Sequence, residues 1–201
     1  KETNTLDGWF DSGSTHVASM ELDSPGVWPA TMYLEGNDQY RGWFQSSMLT
    51  SIATQGKAPY KTVITHGMIV DEERQKMSKS LGNGIAPEDI LKQYGADVMR
   101  LWVASSDYRQ DMRISKDMLK HLSQNYLKIR NTARYILGNL FDFDPKTNSV
   151  AYADMPELDK WALMKLNDLT AKVREGYDSY EFHTVFHAIH NFCVVDMSNF
   201  Y

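Results

Sequence analysis

The chain has 201 residues, of which 42% are hydrophobic and 23% are charged, a composition typical of an ordinary globular protein. A formal net charge of −5 argues against a protein that coats nucleic acid non-specifically, although a local basic face is compatible with it. No apolar run is long enough to cross a bilayer, and the single cysteine, Cys193, excludes an internal disulfide and a cysteine-based zinc site. We therefore expect a cytoplasmic protein that is not inserted in a membrane.

The region 1–30 is predicted to be irregular. Two aromatic residues stand between glycines in the stretch from Leu6 to Gly13, a pattern typical of turns. Pro25, Gly26 and Pro29 favour a loop in the stretch that follows.

A strand, a helix and a second strand are predicted next. The apolar run 31–34 predicts a buried strand, apolar residues recur at helical spacing from Tyr40 to Ile52, and Gly56 supplies a stop signal. The segment 62–65 predicts the second strand. Such a unit implies a parallel sheet with a right-handed crossover. Ligands bind beyond the carboxyl ends of parallel strands, so we expect the polar turns 35–39 and 66–67 to line one crevice.

The rest of the chain is predicted to be helical. Pro87 begins a short helix that Gly95 ends, and 96–104 forms another. Beyond these, three long amphipathic helices are expected, the last of them containing Cys193 in its apolar pattern.

Start and stop signals accompany two of the long helices. Ser115 is placed to cap the first, and Asp154 with Glu157 resembles a capping box for the second, which Gly176 is expected to close. The predicted apolar face of the first long helix consists of Met118, Leu122, Tyr126, Ile129, Ala133, Ile136 and Leu140.

These elements predict an α/β fold followed by an all-α part, with a boundary between residues 1–107 and 108–201. The chain begins with polar residues rather than Met, and 195–201 carries no helix stop signal. We therefore expect an internal fragment of a longer protein.

A basic loop follows the second predicted strand. Residues 76–84 read KMSKSLGNG, so that Lys76 and Lys79 stand three residues apart among small hydroxyl residues and ahead of glycines. Such lysines can place mobile positive charges on a phosphate chain. The residues alone also fit a solvated basic loop.

Five segments carry a resemblance to known enzymes. Residues 76–80 match the signature loop of class I aminoacyl-tRNA synthetases, which clamps the triphosphate of ATP. Segments 9–16 (WFDSGSTH), 33–44 (YLEGNDQYRGWF), 130–134 (RNTAR) and 191–196 (NFCVVD) resemble the isoleucyl-tRNA synthetases. The string at 33–44 discriminates among the relatives, because valyl and leucyl enzymes differ there. The resemblance covers essentially the whole chain.

The resemblance assigns a place to each part of the chain. Residues 1–107 would be the second half of a Rossmann-like parallel-sheet catalytic domain, and 108–201 would begin a helical-bundle domain that binds the tRNA anticodon. The N-terminal half of the catalytic domain, the editing domain and the zinc-binding C-terminal part would lie elsewhere in the polypeptide. Zinc is therefore not expected here, and the fragment alone is expected to be inactive.

The resemblance also implies a reaction, in which isoleucine is activated with ATP, accompanied by Mg²⁺, and then transferred to tRNA(Ile). Lys76 and Lys79 would stabilise charge on the phosphates, with Lys79 as the closer ligand. Two alternatives stay open, namely a sister enzyme for valine or leucine and a non-catalytic tRNA-binding module of the same fold.

Binding roles follow residue by residue from the same resemblance. Glu35, Gly36 and Asp38 would lie along the adenylate, and His66 and Gly67 would lie near the adenine. A solvated turn is the alternative for the first three residues, and a structural role is the alternative for His66.

A second set of residues would bind the amino acid. Trp9 and Trp43 would be walls of the isoleucine pocket, and Gln39 would reach the polar end of the substrate. A plain core role is the alternative for Trp43, which lies on the apolar face of its own helix.

Two further sets of charged or titratable residues are more ambiguous. Basic residues near the domain junction fit either contact with tRNA phosphates or a mixed solvated face, because aspartates are interspersed. This set comprises Arg109, Arg113, Lys116, Lys120, Lys128, Arg130 and Arg134. Three histidines of the last helix, His183, His187 and His190, have helical spacing, but no accompanying ligand pattern favours a metal site.

Overall fold

The structure is a computed structural model that describes residues 3–22, 27–78 and 80–201. It divides into two compact units. The first unit comprises the described residues as far as Met68 together with Arg109–Asp111, and the second comprises Ile69–Tyr108 and Met112–Tyr201.

The first unit contains the predicted strand–helix–strand motif. Its elements are α1 (Gly8–Gly13), α2 (Thr15–Val17), a π-helical segment (Ala18–Leu22), β1 (Ala30–Gly36), a 3-10 turn (Asn37–Arg41), α3 (Trp43–Gln55) and β2 (Tyr60–His66). Strands β1 and β2 are parallel, with Tyr33 opposite Val63 and Gly36 opposite His66. Gly56 ends α3 at φ 72°, a left-handed conformation that glycine adopts without strain. The parallel α/β prediction is therefore confirmed.

The prediction of an irregular N-terminal region was wrong for Gly8–Leu22, which is helical. Asp7 caps α1, because its Oδ1 accepts a hydrogen bond from Trp9 N at 2.8 Å. Gly13 does not form a turn but allows close packing on α3, since a Cβ there would lie 2.7 Å from the carbonyl carbon of Ser46. Pro25 and Gly26 lie outside the described residues.

The buried face of α3 differs from the predicted apolar stripe. Phe44, Ser47 and Ser51 are buried, whereas Ile52 is 49% exposed. Each buried hydroxyl has a partner: Ser47 Oγ lies 3.0 Å from the hydroxyl of Tyr33, and Ser51 Oγ donates to the carbonyl of Lys57 at 2.7 Å. Satisfied serines therefore replace apolar side chains where α3 packs most closely.

The second unit is mainly helical, as the sequence indicates. Its elements are β3 (Ile69–Val70), α4 (Pro87–Tyr94), α5 (Ala96–Ser105), β4 (Met112–Arg113), α6 (Lys116–Gly138), a 3-10 turn (Tyr152–Asp154), α7 (Glu157–Asp178), α8 (Phe182–Asn191) and a π-helical segment (Phe192–Phe200). Strands β3 and β4 pair in parallel. They were not predicted, because two-residue strands leave no periodicity in the sequence.

One hydrophobic core joins helices α4, α5, α6 and α8. Its buried members are Ile90, Val98, Trp102, Ile114, Leu119, Leu122 and Phe186. Helices α4 and α5 lie as predicted, with Gly95 between them at φ 83°. Among the described residues, no helix is long and apolar enough to cross a membrane.

Helix α6 starts as predicted but buries a different face. Ser115 caps the helix, accepting a hydrogen bond from Met118 N at 3.2 Å. The buried positions are Leu119, Leu122 and Thr132, whereas Met118 is 37% exposed. The predicted stripe was partly wrong because α6 packs against α5, α8 and the π-helical segment, and these partners select the buried positions.

Both boundary predictions for α7 were wrong. The helix follows Pro156 without a side-chain cap, and Asp154 belongs to the preceding 3-10 turn. Gly176 lies inside the helix, where a Cβ would be 2.5 Å from Val185 Cγ2. Its small size therefore serves the packing of α7 on α8 rather than helix termination.

The third long helix continues from α8 into the π-helical segment, where Cys193 is buried. Burial raises the pKa of the Cys193 thiol, and the hydrogen bond with Thr132 opposes that shift. The thiol is therefore protonated at neutral pH and takes a structural place in the fold.

Replacing Ser115 with alanine tests the cap of α6. The change removes the acceptor for Met118 N, so we expect a loss of about 1 kcal/mol in the free energy of unfolding. The same change at Ser123, in the interior of α6, is the control and should be neutral or slightly stabilising. Thermal unfolding and the exchange rate of the Met118 amide measure both effects. Equal unfolding temperatures and equal exchange rates of the Met118 amide in the two variants would contradict the capping role of Ser115.

Candidate functional site

The parallel strands of the first unit bring two predicted turns together. Glu35 and Gly36 end β1, and Gly36 lies opposite His66 of β2. The Oε1 atom of Glu35 is 3.9 Å from Nε2 of His66. Asp38 lies over Gly36, since a Cβ on that glycine would be 2.5 Å from Asp38 Oδ1. We call Glu35, Gly36, Asp38, His66 and Gly67 the strand-end cluster.

The polar side chains of the strand-end cluster are accessible to solvent, and some of their atoms already form hydrogen bonds within the chain. The side chains of Glu35 and His66 are 50% and 39% exposed. Glu35 Oε1 accepts a hydrogen bond from Gly36 N at 2.9 Å. His66 Nδ1 lies 2.8 Å from the carbonyl oxygen of Gly67, so Nδ1 carries the proton and donates it. In the neutral ring, Nε2 then has a lone pair that can accept from a hydroxyl or amino group.

Gly67 provides a close backbone approach, but the approaching group belongs to the chain itself. A Cβ at Gly67 would lie 2.5 Å from the carbonyl of Gln110 and 2.7 Å from Asp111 N. Asp111 Oδ1 in turn accepts from Met68 N at 2.8 Å. Asp111 is 43 positions from Met68 along the chain, and sequence reasoning missed both residues because no local pattern marks such a contact.

A second group of residues lies at the start of α3. A Cβ on Gly42 would be 2.6 Å from Gln39 Oε1 and 2.9 Å from Trp9 Cη2, so both side chains cover this glycine. Trp9 is 49% exposed and presents a free indole surface. We call Trp9, Gln39, Gly42 and Trp43 the indole cluster.

Gln39 and Trp43 differ in how much of each side chain is engaged. Gln39 Oε1 accepts from Trp43 N at 3.0 Å, whereas its amide nitrogen bonds to no other described residue. The Trp43 ring stacks on Tyr33 with centroids 4.2 Å apart, and its Nε1 donates to the carbonyl of Ser12 at 3.0 Å. Trp43 therefore has the packing role that was its alternative, and a role as a pocket wall stays a prediction.

The basic loop belongs to the second unit. Lys76 is exposed, and its backbone pairs with that of Val70 in an antiparallel bridge. Ser78 Oγ accepts from Leu81 N at 3.2 Å and lies 3.1 Å from Ser80 Oγ. Lys79, the predicted phosphate ligand, lies outside the described residues.

Two polar side chains join the end of this loop to the segment that precedes it. Asn83 Nδ2 donates to Asp71 Oδ2 at 2.7 Å, and Asp71 Oδ1 accepts from Gln75 N at 2.7 Å. The Asn83 amide, followed by the Gln75 N–H, holds the pKa of Asp71 below its ordinary value. These bonds therefore add stability above the ordinary carboxyl pKa, and the contribution is lost as the pH falls through the lowered value.

The ambiguous basic residues and histidines have different surroundings. Five of the basic residues lie exposed along α6, namely Lys116, Lys120, Lys128, Arg130 and Arg134.

On α8, His183 Nδ1 and His190 Nε2 are buried and lack a hydrogen-bond partner within the described part of the chain. The His190 ring stacks on Phe186 at 6.1 Å. Across residues 3–22, 27–78 and 80–201, no group of three or more His, Cys, Asp or Glu side chains is arranged to hold a metal ion.

Comparison with known protein families assigns both parts of the chain. Residues 1–115 match the family described as tRNA synthetases class I (I, L, M and V). Residues 159–201 match the anticodon-binding domain of tRNA ligases.

Similar curated proteins are isoleucine–tRNA ligases. The chain is 58% identical over all 201 residues to that of Caldicellulosiruptor bescii and 56% identical to that of Syntrophotalea carbinolica. It spans 22% of the length of each of these relatives. The resemblance inferred from segments 9–16, 33–44 and 76–80 is therefore confirmed.

Similar solved structures agree on the fold. A LeuRS–tRNA–LeuAMS ternary complex from Agrobacterium radiobacter K84 aligns with a TM-score of 0.82 at 18% identity, covering 98% of this chain and 27% of that one. Mycobacterium tuberculosis methionyl-tRNA synthetase in complex with methionyl-adenylate aligns with a TM-score of 0.75 at 19% identity, covering 92% and 38%. The α/β part followed by helices is thus the fold of these synthetases.

Replacing Gly67 with alanine tests the backbone contact beside the strand-end cluster. The new Cβ would meet backbone atoms of Gln110 and Asp111, which cannot rotate away, so we expect a loss of about 1–3 kcal/mol in unfolding free energy. Gly138 is the control, because a Cβ there has nothing within 4 Å, and alanine should be neutral or slightly stabilising. Urea unfolding monitored by tryptophan fluorescence compares the two, and an unchanged midpoint for Gly67→Ala would contradict the contact.

Proposed function

Because this chain belongs to the class I tRNA synthetases, we propose that the protein containing it is an isoleucine–tRNA ligase, which activates isoleucine with ATP and transfers it to tRNA(Ile). The observation that carries this proposal is the 58% identity to an isoleucine–tRNA ligase over the whole length of the chain. Residues 1–107 would be the second half of the catalytic domain, and 108–201 would begin the anticodon-binding domain.

The strand-end cluster is proposed to bind the adenylate. Glu35 and Asp38 present carboxylate oxygens, which can only accept hydrogen bonds and so suit the ribose hydroxyls or the ammonium group of the amino acid. His66 Nε2 supplies a further acceptor, with its tautomer set by the bond to the Gly67 carbonyl. Gly36 is proposed to lie along the adenylate and Gly67 near the adenine; the missing side chains let Asp38 and the Gln110–Asp111 backbone pack against these two positions.

The indole cluster is proposed to bind isoleucine. Trp9 offers a rigid apolar wall, Trp43 extends it, and the free amide nitrogen of Gln39 can donate to the substrate carboxylate. Such a pocket rejects valine weakly, because one methylene is worth only about 1–3 kcal/mol, a limit for which isoleucine and valine are the standard example. A separate editing domain elsewhere in the polypeptide would supply the remaining accuracy.

Activation needs no protein nucleophile. A carboxylate oxygen of isoleucine attacks the α-phosphorus of ATP, the bond to the bridging oxygen breaks, and pyrophosphate departs with the electron pair. Lys76 and Lys79 are proposed to stabilise the negative charge that develops on the phosphates, with Lys79 as the closer ligand. Mg²⁺ enters as part of the ATP complex and neutralises phosphate charge there.

Binding of tRNA is assigned to the helical part. The exposed lysines and arginines along α6 suit phosphate contacts, which orient a nucleic acid without reading its sequence. The N-terminal half of the catalytic domain would complete the site, and the zinc-binding part would lie outside this chain. We place the protein in the cytoplasm, where a free thiol such as Cys193 stays reduced.

Pyrophosphate–ATP exchange by the full-length protein tests the proposed reaction. We expect strong preference for isoleucine over valine, leucine and methionine, and a loss of about 100-fold or more in Lys79→Ala and Glu35→Ala. Preference for another amino acid would move the specificity to a sister enzyme. No exchange with any amino acid would overturn the enzymatic proposal in favour of a tRNA-binding module.

The same assay on the 201-residue chain tests whether it holds the whole catalytic site. We expect no isoleucine-dependent exchange, because the proposed N-terminal half of the catalytic domain is not part of these 201 residues and the two lysines alone cannot position the nucleotide. The full-length protein at the same concentration is the positive control. Measurable exchange by the chain alone would show that this division of the site is wrong.

A further inference from the structure

A small hydrogen-bond network fastens the basic loop at both ends. Asp71 precedes the basic loop, Asn83 lies near its end, and Asn83 Nδ2 donates to Asp71 Oδ2 at 2.7 Å. We call this pair the loop clamp. The residues between the two, 72–82, include both lysines of the loop.

Asn83 also binds the backbone of the loop. Its Oδ1 accepts from Ser78 N at 3.0 Å, and its Nδ2 lies 3.4 Å from the carbonyl oxygen of Lys76. One amide therefore holds the chain on both sides of Met77. Because Asn83 Oδ1 receives a backbone N–H, the orientation of the amide is set by chemistry, and Nδ2 necessarily faces Asp71.

Asp71 connects this network to the core of the second unit. It follows Val70, which is 5% exposed and pairs with Arg113 of β4. Asp71 and Gln75 exchange two bonds, since Asp71 N donates to the Gln75 carbonyl at 3.0 Å and Gln75 N donates to Asp71 Oδ1. Both carboxylate oxygens are thus engaged within the loop, which argues against Asp71 as a ligand of the substrate.

We propose that Asp71 and Asn83 are positioning residues of the activation step, which hold the backbone around Lys76 and Ser78 so that the lysines of the loop reach the phosphates of ATP. This inference rests on the proposed function. A lysine ammonium sits at the end of a flexible four-carbon stem, so the place where its charge arrives depends on where the backbone is fixed. Fixing the backbone before the substrate binds removes an ordering cost from the transition state.

The interaction between Asp71 and Asn83 can be tested by swapping the two residues. Asp71→Asn leaves an amide N–H₂ facing another donor, and Asn83→Asp places two carboxylates 2.7 Å apart in the wild-type geometry. The double variant Asp71→Asn with Asn83→Asp reverses the pair. It restores the bonds to Gln75 N, to Ser78 N and between the two side chains, and loses only the longest one, to the Lys76 carbonyl.

The kinetic test measures isoleucine-dependent pyrophosphate–ATP exchange by variants of the full-length protein. Each single variant should lose about 10- to 100-fold in kcat with the KM for isoleucine within about twofold, because the loop acts on the phosphates and not on the side-chain pocket. The double variant should recover most of the loss. Glu72→Gln is the matched control, since this exposed carboxylate stands next to Asp71 and bonds to no other described residue, and its kcat should match wild type.

A second measurement does not depend on activity. Hydrogen exchange at the amides of Gln75 and Ser78, without ATP or isoleucine, should accelerate in both single variants and return in the double variant. Single variants with wild-type kcat, or a double variant without recovery, would overturn the positioning role even if the enzyme is active. If the wild-type protein shows no pyrophosphate–ATP exchange, the proposed function and the catalytic role of the pair are both overturned. The hydrogen-exchange rates of the two amides would then alone decide whether the loop clamp holds the loop.

Discussion

The parallel pairing of β1 (30–36) with β2 (60–66) is the constraint on which the candidate site depends. Parallel strands require a crossover, which here is α3, and they end at the same edge of the sheet. Gly36 lies opposite His66, so both strands end at the same level, and there the Oε1 atom of Glu35 lies 3.9 Å from Nε2 of His66. A shift of the register by one residue would turn Glu35 to the opposite face and dismantle the strand-end cluster.

The two units order the backbone around their charged side chains in different ways. In the first unit, Glu35 and His66 lie at the carboxyl ends of the two paired strands, so the sheet fixes the backbone that carries both side chains. In the second, Lys76 lies in a loop without regular structure, and the network of Asp71 and Asn83 takes over the task of ordering the backbone. A loop with the proposed phosphate-binding role needs some freedom to move, and a few hydrogen bonds restrict it less than a sheet does.

Small residues decide how the helices pack, and they account for most of the failures of the apolar patterns. Ser47 and Ser51 are buried on α3 where an apolar stripe was expected. Gly13 and Gly176 act as contact points between helices, although each resembles a turn or stop signal in the sequence. Hydrophobic periodicity counts large side chains, whereas close helix contacts depend on the absence of a large side chain.

The sequence by itself determined the elements whose signals are local. A short apolar run predicts β1, helical spacing of apolar residues predicts α3, and a serine before an apolar pattern predicts the cap at Ser115. The strings at 33–44 and 76–80 identify the family. Only the tertiary structure decided the pairing of β3 with β4, the contact of Gly67 with Asp111, and the bond of Asp71 to Asn83. Each of these joins residues far apart in the chain or depends on side-chain orientation, and neither leaves a periodic trace in the sequence.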